Sequence, residues 1–268
     1  MSVQSLYTAA SGMESLQTKL DVIANNLANV NTTGFKKGRA NMEDLFYRHY
    51  QFPGSQDQQG NLTATGTSVG LGTRVQSIQT SFLQGAFQQT NGKYDVAIEG
   101  PGFFMVTDPA TGQDVYTRAG NFSLNAQNQL VLGSAQTGRL LSPSITIPQD
   151  AVSVTISSDG TVLTIQAGQT QASPQGQLEL ATFVNPEGLL KLGENLYMAT
   201  SASGDPQTGT PGTEGIGVVK QGFLEASNVE PVQELIDLIT TQRSFELNSQ
   251  SIKVGDDILQ LISNLRRP

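Results

Sequence analysis

Residues 3–35, VQSLYTAASGMESLQTKLDVIANNLANVNTTGF, set the terms on which the rest of the chain is read. Apolar or small side chains recur at Leu6, Ala10, Met13, Leu16, Leu20, Ile23, Leu27 and Val30, always three or four residues apart. That spacing predicts a helix over 2–31 with one narrow apolar seam, a coiled-coil pattern rather than the wider stripe of a globular helix. The opposite face carries Gln4, Ser11, Glu14, Gln17, Lys19, Asp21 and Asn25. Asn25, Asn26, Asn29 and Asn31 crowd the end, where their side chains compete for the backbone, and Thr32-Thr33-Gly34 completes the break.

The C-terminal end repeats the theme. Pro231 suits a first helical turn, with Asn228 as its expected N-cap. From Val232 onward a second seam runs through Ile236, Ile239, Ile258, Leu261 and Leu265, interrupted by the polar stretch Thr240, Thr241, Gln242, Arg243 and Ser244. Between the two ends the period falls to two. Short alternating runs at 75–80, 94–98, 103–106, 130–132, 152–156, 162–165, 178–183 and 196–199 are separated by turn signals such as Asn91-Gly92 and Asp159-Gly160. Asp159-Gly160, between Val154-Thr155-Ile156 and Val162-Leu163-Thr164-Ile165, predicts a hairpin. The segments 47–73 and 201–217 have neither period and read as loops.

The expected fold is therefore mixed and mainly β. A central antiparallel β region is flanked by N- and C-terminal coiled-coil-like helices that pack together, with a long extended loop besides. The expected divisions are 1–45 (N-terminal helix), 46–74 (Gly- and Gln-rich loop), 75–221 (β-rich centre) and 222–268 (C-terminal helix). Helices with such narrow seams make a marginal two-helix coil if they pair only with each other. Packing against the same helices of neighbouring copies buries both flanks, which is the layout of a polymerising subunit.

Composition narrows the function. The net charge is −8, and 28 glycines accompany a 37% hydrophobic share in 268 residues. Nucleic-acid binding needs clustered cations on a surface, which this chain lacks. Lys36, Lys37 and Arg39, and the terminal pair Arg266 and Arg267, read as solvated charge. Membrane-surface attraction is disfavoured for the same reason, and no apolar run spans a bilayer. With no cysteine there is no disulfide, thiol nucleophile or Cys-based zinc site. The N-terminus shows no basic and apolar leader pattern, so export without a cleaved signal is expected. His49 is the sole histidine, and it reads as a surface or interface residue. The adjacent pairs Glu43-Asp44 and Asp256-Asp257 diverge, while Gly70-Leu71-Gly72 lacks the third glycine of a dinucleotide site. No catalytic, cofactor or metal site is expected.

Three stretches carry a resemblance. Leu6-Tyr7-Thr8-Ala9-Ala10-Ser11-Gly12-Met13 with Ala24-Asn25-Asn26-Leu27-Ala28-Asn29-Val30-Asn31-Thr32-Thr33-Gly34-Phe35-Lys36 resembles the N-terminal signature of bacterial flagellar axial proteins, the rod, hook and hook-associated subunits. Leu224-Glu225-Ala226-Ser227-Asn228-Val229-Glu230-Pro231-Val232 resembles their C-terminal signature. Glu99-Gly100-Pro101-Gly102-Phe103-Phe104 and Thr117-Arg118-Ala119-Gly120-Asn121-Phe122 resemble the β region that rod and hook proteins share. Phe103 and Phe104 are expected in the core. Chain length and the Gly- and Gln-rich segment are most similar to the distal rod branch, with proximal rod or hook-type subunits as the nearest alternatives and a β-rich cell-wall-active enzyme as a different class.

The resemblance implies a helically polymerised, torque-bearing tube around an export channel. Its partners would be further copies, proximal rod proteins, hook protein, surrounding basal-body ring proteins and the flagellar export apparatus, and its place the periplasm-spanning rod. It implies a self-assembly surface at Leu6, Met13, Leu16, Leu20, Ile23, Asn25, Asn26, Leu27, Asn29, Ile236, Ile239, Ile258, Leu261 and Leu265. An intersubunit loop would present Tyr47, Pro53, Gly54, Gly70 and Gly72.

Overall fold

A computed structural model describes residues 3–56, 62–133, 137–169, 171–213 and 215–265, without the side chains of Val3, Ile262, Ser263 and Leu265. The fold is mixed and mainly β, with one long helix toward each end. It divides into two compact units. The first comprises residues 1–28, 38–80 and 230–268; the second comprises 29–37 and 81–229.

In the first unit, helix α1 spans Val3–Ala28 and helix α2 spans Pro231–Leu265. They pack together as an antiparallel pair. Leu6 lies against Gly255, Gly12 against Asn248 and Asn26 against Glu234, so facing residue numbers sum to about 260 throughout. α1 stops at Ala28, short of the expected Asn31. Within it Asn26 is bound outside the helix: its amide both donates to Gly38 O and accepts from Gly38 N, each at 2.9 Å.

Residues 38–44, expected to continue the helical region, instead form a strand. Gly38–Asp44 pairs antiparallel with Thr73–Thr80, from Gly38 opposite Thr80 to Asp44 opposite Thr73. The chain between them is also ordered as a ribbon, Tyr47–Gln51 pairing with Thr67–Gly70. α1 runs along this ladder, held at the Gly38 end by Asn26 and at the Thr73 end by two serines. Ser15 Oγ donates to Thr73 O at 3.3 Å, and Ser11 Oγ accepts from Thr73 N at 3.4 Å. A Cβ built on Gly72 would collide with Ser11 Oγ, and Gly72 has φ +127°, so only glycine fits there.

The second unit is all β apart from one short 3₁₀ turn. Its largest sheet runs Leu190–Gly193, Leu196–Met198, Asp114–Thr117, Phe103–Thr107, Leu140–Ser142, Leu130–Leu132 and Phe122–Leu124. Leu180–Thr182 joins it by pairing with both Phe103–Thr107 and Gln207–Gly209. The latter strand lies in the segment 201–217 that has no period in sequence. Ala151–Ile156, Thr161–Gln166 and Ser173–Gln177 form a three-stranded meander, and its first turn is the expected Asp159-Gly160 hairpin. Two further pairs, Val96–Glu99 with Val218–Gln221 and Phe87–Gln89 with Phe223–Glu225, join early and late parts of the chain. The core gathers Val96, Ile98, Phe104, Val106, Leu141 and Leu180. Phe104 meets Phe122 edge-on at 5.0 Å, and Phe103 belongs to a second cluster with Tyr116 and Tyr197, so both expected core phenylalanines are buried.

Candidate assembly interface

The helix pair distributes its apolar residues in an unexpected way. On α2 the positions turned toward α1 follow a seven-residue repeat. Glu234, Thr241, Asn248 and Gly255 form one row, and Leu238, Phe245 and Ile252 the other. The first row is small or polar, which lets the backbones approach; a Cβ on Gly255 would strike Leu6 Cδ2. Glu234 is buried against Asn26, whose Nδ2 donates to Glu234 Oε2 at 3.2 Å. Within the polar interruption seen in sequence, Thr241 is buried in the intramolecular seam while Thr240, Gln242 and Arg243 are exposed, and α2 runs through it unbroken.

The opposite face of α2 is open and carries aliphatic side chains interspersed with charged ones, among them Arg243, Glu246, Lys253 and Asp257. Val232, Leu235, Ile236, Ile239, Leu247, Val254 and Leu261 are exposed, with Ile239 retaining 49% of its surface. The residues expected on the C-terminal seam therefore separate. Ile258 is half-buried, Ile236, Ile239 and Leu261 lie on the open face, and the side chain of Leu265 lies outside the described residues, as do Arg266 and Arg267. On α1, Ile23 and Asn26 are buried, while Leu6, Met13, Leu16, Leu20 and Leu27 are half-buried and Asn25 is exposed. Asn29 falls in the second unit, where its Oδ1 accepts from Thr32 Oγ1 at 3.1 Å.

The ribbon over 47–70 is exposed along its whole first strand. His49 stacks on Phe52 at 5.1 Å and Arg48 lies over the Tyr50 ring at 5.1 Å, so the sole histidine is a surface residue. Pro53 and Gly54 lie in an exposed turn that follows its first strand, and the Tyr47 ring packs on Gly70. Gly72 serves the intramolecular contact with Ser11 described above.

Sequence reasoning missed a charged cluster in the second unit. Lys36 and Glu225 have fully buried side chains, and Lys36 Nζ donates to Glu225 Oε1 at 2.6 Å and to Leu83 O at 2.8 Å. Gly85 N donates to the same carboxylate oxygen at 2.9 Å. Arg118 places Nη1 3.5 Å from Glu225 Oε2, and its Nη2 donates to Gly100 O at 2.8 Å. Lys36 is thus not solvated charge. Desolvation pulls its pKa below the ordinary lysine value, with the Glu225 carboxylate opposing. Desolvation acts in the same direction on Arg118.

Asn228 is not an N-cap either. Its Oδ1 accepts from Lys37 N at 2.8 Å, and its Nδ2 donates to Ser81 O and Leu83 O, tying three distant segments together. Lys36, Arg118, Glu225 and Asn228 each lie inside one of the signature stretches; membership in them was the available signal. Among the described residues no group of acidic, histidine or cysteine side chains is arranged to hold a metal, and no helix is long and apolar enough to cross a membrane.

Comparison with known proteins gives a consistent result. Residues 6–36 match a family profile described as flagella basal body rod protein. Residues 97–164 match the flagellar hook protein FlgE/F/G D1 domain, and residues 220–265 match the flagellar basal body rod FlgEFG protein C-terminal region. The flagellar basal-body rod protein FlgG of Caulobacter vibrioides is 44% identical over 98% of this chain and 100% of its own length. The FlgG protein of Buchnera aphidicola subsp. Schizaphis graminum is 43% identical over 98% of this chain and 100% of its own. That of Borreliella burgdorferi is 41% identical, covering 99% of both.

Proposed function

The chain belongs to the flagellar basal-body rod protein family, and from that premise we propose that it is the subunit of the distal rod, polymerising helically into a straight, rigid tube that encloses the export channel. The family is structural, so the chain is a subunit of the flagellar basal body and not an enzyme. In the proposed tube, heterologous contacts between copies do not close and so extend along the axis. Proximal rod proteins lie below, hook protein above and ring proteins around it. Subunits reach the growing end through the export apparatus, and the shaft crosses the periplasm.

The observation that carries this reading is the open face of α2. Seven large aliphatic side chains on one helix are far more than scattered surface hydrophobics, and such a patch marks an interaction site. Burying the exposed part of each contributes roughly 1 kcal/mol, enough in sum to offset an association cost of several kcal/mol. The half-buried α1 residues Met13, Leu16, Leu20 and Leu27 supply further surface for the same contact. The exposed ribbon with Tyr47, Pro53, Gly54 and Gly70 braces neighbouring copies.

The test is electron microscopy of the concentrated protein together with hydrogen exchange of the helices in dilute and assembled forms. Straight tubes, with α2 exchange slowed on assembly, are the expected result. A monodisperse particle at every concentration would overturn the reading.

A further inference from the structure

The second unit carries a cleft of about 330 Å³ lined by Phe82, Phe103, Phe183, Pro101 and Arg118. Its rings interlock edge-on, Phe82 with Phe103 at 5.4 Å and Phe103 with Phe183 at 5.8 Å. At its edge Leu83 is 73% exposed, with Gln84 and Thr182 also in the lining. Aromatic anchors about an arginine are the composition of a protein-binding hot spot.

Arg118 itself is only 4% exposed, lies 5.4 Å from the Phe103 ring centre, and has no hydrogen-bond acceptor for Nε or Nη1. The cluster behind it holds two cations, Lys36 and Arg118, for the single carboxylate of Glu225. Such a cleft suits an aromatic side chain that brings a carboxylate with it.

The chain presents such a ligand. Phe46 is 87% exposed, more than any other large hydrophobic side chain among the described residues. It stands at the corner between strands Gly38–Asp44 and Tyr47–Gln51, two residues from the exposed Asp44. The corner is held on both sides, since Leu45 N donates to Gly72 O at 2.9 Å and Leu71 N to Phe46 O at 3.0 Å. Tyr47 also hydrogen-bonds the Asp44 carboxylate. A side chain presented from a fixed backbone loses little entropy on docking.

We propose that the cleft of one subunit receives the Phe46 ring of a second copy, with Asp44 of that copy meeting Arg118. The inference rests on the tube-forming reading and gives the exposed corner a defined receptor. It makes Leu83 part of an intersubunit contact separate from the α2 face.

The test is fluorescence anisotropy of a labelled peptide spanning residues 40–50, titrated with the full-length protein below its assembly concentration. Saturable binding is expected, weakened about tenfold or more by Phe46→Ala in the peptide and about threefold by Asp44→Asn. Leu83→Asp in the protein places a like charge on the rim. Because Leu83 is exposed, this variant is expected to keep the wild-type melting temperature while losing the peptide. Absence of saturable binding, or binding indifferent to both Phe46→Ala and Leu83→Asp, overturns the proposal even if the wild-type chain forms straight tubes. Binding with the expected pattern in a chain that forms no tubes would sustain the cleft and overturn the tube instead.

Discussion

Glu225 is one carboxylate between two buried cations, and that imbalance makes it the most sensitive single residue in the second unit. Glu225→Gln keeps the shape but leaves Lys36 and Arg118 without an anion. A loss of about 3–5 kcal/mol is expected, seen as a lower denaturant midpoint, because breaking one member of a buried ion pair strands the rest. A midpoint within error of wild type would mean the cations are neutralised some other way. Lys36 adds a pH signature. Its folded pKa is depressed, so between that value and the ordinary 10.5 the unfolded chain binds more protons, and stability rises with pH across that window. Burial raises the Tyr197 pKa, which gives the opposite slope above the usual tyrosine range. Comparison with Lys36→Met separates the two. As pH rises toward 10.5 the wild type is expected to gain stability relative to Lys36→Met, and a flat difference would place the Lys36 ammonium in a solvated setting. None of this was legible from the neighbourhood of Lys36, which shows only adjacent charge. Its partner lies 189 residues away, and local pattern carries no information about a contact at that separation.

At the scale of elements, the two helices and their packing together were legible, but the residues that make the contact were not. The three-to-four spacing marks both helices because it reports which face is apolar, but it does not say what covers that face. On α2 one of the two rows of the intramolecular seam is Glu234, Thr241, Asn248 and Gly255, residues whose polarity or size argues against burial when read alone. The strand Gly38–Asp44 was illegible for a related reason. Gly-Arg-Ala-Asn-Met-Glu-Asp alternates only weakly, with Ala40 and Met42 as its apolar side chains, and its conformation is imposed by the ladder to Thr73–Thr80 and by Asn26 clamping Gly38. The Asp159-Gly160 hairpin, by contrast, is specified locally and was readable. The junction at Gly72 tests how firmly α1 holds the ladder. Gly72→Ala forces a left-handed φ on a β-carbon that also meets Ser11 Oγ, so a loss of about 2–3 kcal/mol is expected. Hydrogen exchange should speed up in 38–44 and 73–80 and stay unchanged in the second unit. Unchanged protection of both strands would show that the ladder stands without α1.

For the whole molecule, the question is what opposes assembly when so much apolar surface is open. Every copy carries a formal charge of −8, so approach is resisted by mutual repulsion while the α2 face supplies the attraction. Salt separates these contributions. Repulsion between exposed charges is screened over about 10 Å at 0.1 M salt, whereas burial of aliphatic side chains is not weakened by it. The concentration needed for tube formation, read by sedimentation, is therefore expected to fall as sodium chloride is raised, and to fall further in sulfate, which strengthens apolar burial. Assembly driven by ion pairs between copies would give the reverse trend in chloride. Ile239→Asp supplies the matching substitution. Ile239 is half exposed on the open face and outside the intramolecular seam, so the folded subunit should keep its melting temperature and lose its tubes at every salt concentration. Tubes that persist in Ile239→Asp would remove the α2 face from the contact, and would leave the aromatic ribbon as the surface that joins one copy to the next.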